Sequence, residues 1–167
     1  ALLLASIASW AVILRKRGIA WPWGRTLSWV LGVLVLAWAT NGLIAAYSIV
    51  SVSLHMLQHM ILAMLVPVLL VLGGPITLAL RALRPSRSGD RGPREWLLWG
   101  LHSPVSRVLT NPFYILAVTV LSLYGLYFTG LFPALMSNHL GHLAMQVHFV
   151  LSGYLFYWVI IGIDPTA

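Results

Sequence analysis

The sequence predicts an all-α protein, a polytopic transmembrane helix bundle of about five spans, on three observations. Hydrophobic residues make up 60% of the 167 positions and charged residues only 8%, where ordinary soluble domains carry about a quarter charged. The apolar residues fall in runs, several of them long enough to cross ~30 Å of hydrocarbon at ~1.5 Å per residue. The basic residues lie in loops at one end of those runs, and the turns at the other end carry no formal charge, the asymmetry that orients helices in a membrane. The formal charge of +7 is thereby explained without a nucleic-acid partner. The absence of cysteine excludes disulfides, iron–sulfur clusters and thiolate metal sites.

Residues 1–14 are apolar but too short to span alone, and read as the remainder of a longer helix. Residues 1–167 as a whole read as a single membrane-embedded helical domain, a fragment truncated at both ends. Arg15, Lys16 and Arg17 close the first run, and Gly18, Pro22 and Gly24 turn the chain into a second span at residues 26–46. Trp21 and Trp23 suit an interfacial aromatic belt. Thr40, Asn41 and Gly42 interrupt the far end of this span, where Asn41 is expected to bond a neighbouring helix or to orient a ligand. The third span, residues 53–72, bends at Pro67 and ends at Gly73, Gly74 and Pro75. A short interfacial helix at 76–83 leads into a solvated loop at 84–95 that carries Arg84, Arg87, Arg91 and Arg94. His102, beside Ser103 and Pro104, reads as a surface or capping residue. Pro112 opens a fourth span to about residue 129, and Ser137 or Asn138 caps a fifth at 138–163 that stops near Asp164 and Pro165.

The basic loops assign their ends to the cytoplasm, so the turns at 47–53 and 129–138 lie outside. Spans three and five then enter from the same side, which sets two His/Met groups level. In the first, His55 and His59 lie about 40° apart around a helix, with Met56 and Met60 about 100° further round; Met64 extends the thioether row. In the second, His142, Met145 and His148 spread over about 120°, and His139 is expected at the helix entrance as an access ligand or cap. All five methionines and five of the six histidines fall within 55–64 or 136–148. Imidazole and thioether together suit copper, above all Cu(I), and polar groups inside a membrane mark function more often than packing. The candidate metal residues are therefore His55, His59, His142, His148, Met56, Met60, Met64 and Met145. Haem, held by one histidine from each helix, competes as an occupant but leaves the methionines unexplained. With no Asp or Glu in the outer half, an acid-catalysed enzyme is unsupported.

Several of these stretches, in order, carry a family resemblance: residues 55–60 (HMLQHM), 72–79 (LGGPITLA), His142 through Val147, His148 and Phe149, and 153–158 (GYLFYW) ending at 162–165 (GIDP). Together they resemble the CtaG-type cytochrome c oxidase assembly factors over nearly the whole chain. The resemblance implies a bacterial inner-membrane protein, not an enzyme, that assists copper loading of a haem–copper oxidase, with the oxidase subunits and a periplasmic copper donor as partners. It places the family's motif histidines on His55, His59, His142 and His148. Some relatives carry a copper-resistance membrane domain as well. The sequence thus points to a membrane copper-handling assembly factor with a His/Met site in the outer leaflet. A haem-binding electron-transfer subunit and a copper permease are the alternatives.

Overall fold

Proline and glycine punctuate the chain, and the segments between them are helical. The structure, a computed structural model, describes residues 12, 18, 21–47, 50–83, 92–130, 133, 135, 137, 139–162 and 164, and among these there is no strand. The first apolar run, apart from Val12, and residues 84–91 of the arginine loop lie outside the described residues. Helix α1 covers Trp23–Asn41 and α2 Leu43–Tyr47. A continuous rod follows, made of α3 (Val52–Met60), a π-helical turn (Ile61–Leu65) and α4 (Val66–Leu72). Gly74, at φ 59° in the left-handed region that favours glycine, turns the chain into α5 (Pro75–Ala82). Helices α6 (Pro93–Leu101), α7 (Pro104–Leu109) and α8 (Pro112–Phe128) lead to α9 (His139–Ile161).

Helices α5 to α8 each begin with proline, whose fixed φ and missing N–H suit the first helical position. Side chains complete two of these starts: Ser103 accepts from Ser106 N at 3.1 Å, and Asn111 accepts from Phe113 N at 2.9 Å. His102 ends α6 as an exposed cap, its Nδ1 2.8 Å from the Leu98 carbonyl, in keeping with the surface role expected of it.

Where the sequence expects a bend, at Pro67, the helix carries a π-helical turn. Pro67 has no N–H and its ring presses on the carbonyl four residues back; the turn before it widens to a π-helix, with Val66 N bonding the Ile61 carbonyl. Gly153 of α9 lies directly against this turn, and a Cβ there would overlap the Ala63 carbonyl oxygen and come within 2.8 Å of Pro67 Cγ. On the other side of the rod α1 packs through Gly32 against Leu69 and Leu70, and through Trp29 against Gly73. The main core joins Trp29, Ala39, Leu62, Val66, Leu70, Leu78 and Ala82. Leu126 of α8 is tied to Met145 and Phe149 of α9 in a separate cluster.

At the end where α9 stops, the buried carboxylate of Asp164 accepts from Thr77 N at 2.8 Å, Thr77 Oγ1 at 2.6 Å and Ile76 N at 3.2 Å. A negative charge thus meets the orphan N–H groups of the first turn of α5. This bond joins two of the glycine-proline motifs across 87 residues.

Two stretches, Val52–Ala82 with 31 residues and His139–Ile161 with 23, are long and apolar enough to cross a membrane. This is fewer than the five spans expected from the sequence, for two physical reasons among the described residues. The second expected span is cut at Gly42, leaving 19 residues that include Arg25, Thr40 and Asn41. Helix α8 has only 17 residues. It is nonetheless strongly apolar, with Phe113, Leu121 and Phe128 exposed. Asn41 donates to the Ala37 carbonyl at 3.2 Å and to Thr40 Oγ1 at 2.9 Å, so among the described residues its amide bonds within its own helix and not to the histidines.

Candidate metal centre

The rod and α9 both start at the same end of the bundle, which brings His142 level with His55 and His59. On α3 the inward face carries His55, Gln58 and His59, all buried, and continues to Leu62 and Val66. This three-and-four spacing is one stripe of a helix. From α9, His142 meets it. His55 Nε2 and His59 Nε2 are 2.9 Å apart, and the His142 ring stacks on His55 at 5.7 Å and stands edge-on to His59 at 6.4 Å. One ring nitrogen from each of the three lies within 4.8 Å of the others. Phe149 covers the His59 ring at 4.9 Å. Gln58, wholly buried, donates to the Ala39 carbonyl at 2.8 Å; that carbonyl sits in the last turn of α1, where intrahelical donors run out.

Hydrogen bonding among the described residues leaves this cluster incomplete. His142 Nε2, His59 Nδ1 and Gln58 Oε1 are buried and have no partner among the described residues. The His55–His59 contact uses one ring as donor and the other as acceptor, and His142 Nε2 gains nothing from it. Buried polar atoms without partners are rare enough to need a cause, of which an ion is one. Three imidazole nitrogens suit a transition-metal ion such as copper or zinc. A trigonal ion with bonds of ~2.0 Å places its nitrogens ~3.5 Å apart, so the three rings need to shift by only tenths of an ångström to ~1 Å.

The remaining expected ligands lie elsewhere. His148 follows His142 by six residues and so points about 120° away from it; it is exposed and lines a cavity of about 330 Å³ with Leu121, Ser122, Leu126, Met145 and Phe149. Met145 is 3% exposed and packs with Leu126 and Phe149. Met56 is half-buried, while Met60 and Met64 are 58% and 47% exposed beside exposed Leu57 and Leu65. The thioether row therefore occupies the flank that α9 does not cover. His139 is exposed at the start of α9, and Met136 and Asn138 lie outside the described residues. Gln58, Gly153 and Asp164 were not among the residues the sequence singled out for the site or its support. A polar Gln within an apolar run and a lone acid after the last span were the available signals.

A profile described as the cytochrome c oxidase caa3 assembly factor family matches residues 8–167. An uncharacterised protein of Mycobacterium leprae is 48% identical over 155 residues, covering 92% of this chain and 24% of that protein. Uncharacterised proteins of Mycobacterium bovis and Mycobacterium tuberculosis are each 48% identical over 153 residues, 91% of this chain and 23% of theirs. The chain spans about a quarter of the length of these relatives. No solved structure matches.

Proposed function

We propose, from the premise that this chain belongs to the cytochrome c oxidase caa3 assembly factor family, that it assists copper insertion into a haem–copper oxidase, with His55, His59 and His142 holding the ion in transit. The observation that carries this reading is the convergence of the three imidazoles, one ligand atom from each within 4.8 Å of the others, with His142 Nε2 buried and unpartnered. In this reading about five helices cross the bacterial plasma membrane, and the histidine end faces outward to a periplasmic copper donor.

The surroundings favour Cu(I) as cargo. Neutral imidazoles leave the full ionic charge uncompensated, and the acids of the chain are Asp90, Glu95 and Asp164, of which Asp164 is engaged on α5. A monovalent ion costs less than a divalent one where no carboxylate can offset it. Three-coordinate Cu(I) accepts a fourth donor from a recipient before giving up an imidazole, so transfer needs no free ion. Met56, Met60 and Met64 offer soft donors along the adjoining flank. Haem needs axial donors on opposite sides of a flat macrocycle, whereas these three converge on one point.

The test is copper per haem in oxidase purified from cells carrying the His55→Ala/His59→Ala variant, with abundance of the factor checked in the same membranes. The oxidase should contain its haem and lack copper, and added copper should restore it in part. His142→Ala should give the same defect and His148→Ala a much smaller one. Normal copper loading at normal abundance of the double variant would sink the proposal, and loss of a haem spectrum from the factor itself would replace copper by haem as the occupant.

A further inference from the structure

At the end of the bundle away from the histidines, Trp21 receives two cations. Arg25, in the first turn of α1, lies over its ring at 5.3 Å from the centroid, and Arg81, in the last turn of α5, at 5.9 Å. These residues and Pro22 line a cavity of about 430 Å³. Trp21 is held in place by packing against the main core cluster.

One guanidinium over an indole is an ordinary cation–π contact. Two on the same ring repel each other, and neither has a carboxylate partner among the described residues. Of the described acids, Asp164 is bound to α5 and Glu95 sits in the first turn of α6. The indole N–H of Trp21 is also buried without an acceptor among the described residues. Everything polar on the described side chains lining this cavity donates. Such a set, two planar forks lining one cavity from separate helices, is complementary to phosphate oxygens, which accept guanidinium bonds in pairs.

We propose that Trp21, Arg25 and Arg81 bind a phosphate-bearing anion, supplied by an anionic phospholipid headgroup in the leaflet at this end of the bundle. The bound anion offsets the repulsion between the two arginines and ties the start of α1 to the end of α5, with Trp21 at headgroup depth. The lipid source rests on the membrane-spanning reading; recognition of phosphate by the two forks does not, and neither depends on copper.

The experiment uses the full-length protein in neutral detergent, titrated with phosphatidylglycerol, with phosphatidylcholine or with inorganic phosphate, and read by native mass spectrometry and by thermal unfolding. Wild type should retain phosphatidylglycerol over phosphatidylcholine by on the order of tenfold. Arg25→Gln/Arg81→Gln should lose that preference, and Arg107→Gln, an exposed cation away from the cavity, should keep it. Arg25→Lys/Arg81→Lys should hold only part of it, because the charge remains and the forks are gone. If inorganic phosphate stabilises wild type but not the Gln variant, and no lipid preference is seen, the phosphate site stands and the lipid source is overturned. The proposal as a whole is overturned if wild type shows neither lipid preference nor response to phosphate, or if the Gln variant or the Lys variant keeps the full preference.

Discussion

Replacing Gly153 with Ala tests whether the close approach of α9 to the π-helical turn sets the histidine geometry. The added methyl overlaps the Ala63 carbonyl oxygen and the Pro67 ring. A backbone oxygen cannot rotate aside, so α9 has to retreat by ~1 Å, and overpacking of this kind costs about 1–3 kcal/mol. Alanine also gains roughly 1 kcal/mol of helix propensity over glycine, which obscures the clash if G153A is compared only with wild type. Gly125 of α8 supplies the control, because a Cβ there meets nothing within 4 Å. The propensity gain is common to both variants, so G153A should be less stable than G125A by the clash itself, about 1–3 kcal/mol. The retreat also draws His142 away from His55 and His59, and a displacement of ~1 Å should weaken Cu(I) binding by about 10- to 100-fold, with G125A unchanged. Unfolding of the full-length protein in detergent, followed by tryptophan fluorescence, measures the first effect, and competition with a chromophoric Cu(I) chelator the second. Equal stability of the two variants together with wild-type affinity in G153A would refute the reasoning, because the contact at the π-helical turn would then not determine where His142 stands.

Asp164→Asn should cost about 1.5–3 kcal/mol, since it turns one accepting oxygen into an amide that faces Ile76 N–H, yet leave Cu(I) affinity at the opposite end unchanged; a parallel loss of affinity would show that the Asp164 bond also shapes the histidine cluster. Copper affinity should fall on acidification, because protons compete for the same nitrogens; a pH-independent affinity in a competition titration would remove the histidines as ligands. A cysteine placed at Ser137 should react with an impermeant thiol reagent applied from outside the cell, and one at exposed Arg107 should not; the reverse pattern would put the histidine end on the wrong side for a periplasmic donor.

Much of the helical architecture was readable from spacing and composition. Proline at the first helical position marks a start that depends on local backbone chemistry alone, and α8 begins at Pro112 as the sequence predicts. His55 and His59 share a flank because residues four apart on one helix always do, and parity of spans was enough to place a second histidine group at their level. What one helix presents to another was not readable, because spacing defines angles within a helix and leaves its rotation against a neighbour free. Sequence therefore offered His142 and His148 equally, and only the packed structure, with Gly153 against Ala63 and Pro67, turns His142 toward the pair and His148 toward the cavity beside α8. The same rotation leaves Met60 and Met64 outside. The bond from Asp164 to Thr77 joins residues 87 apart, a distance at which no periodicity carries information, and the π-helical turn arises from accommodating Pro67 within a rod packed from two sides. Spacing within a helix and the charges of the loops are properties of the chain itself; the rotation of each helix, and with it the membership of the site, comes from which side chains and carbonyls can approach closely across the bundle.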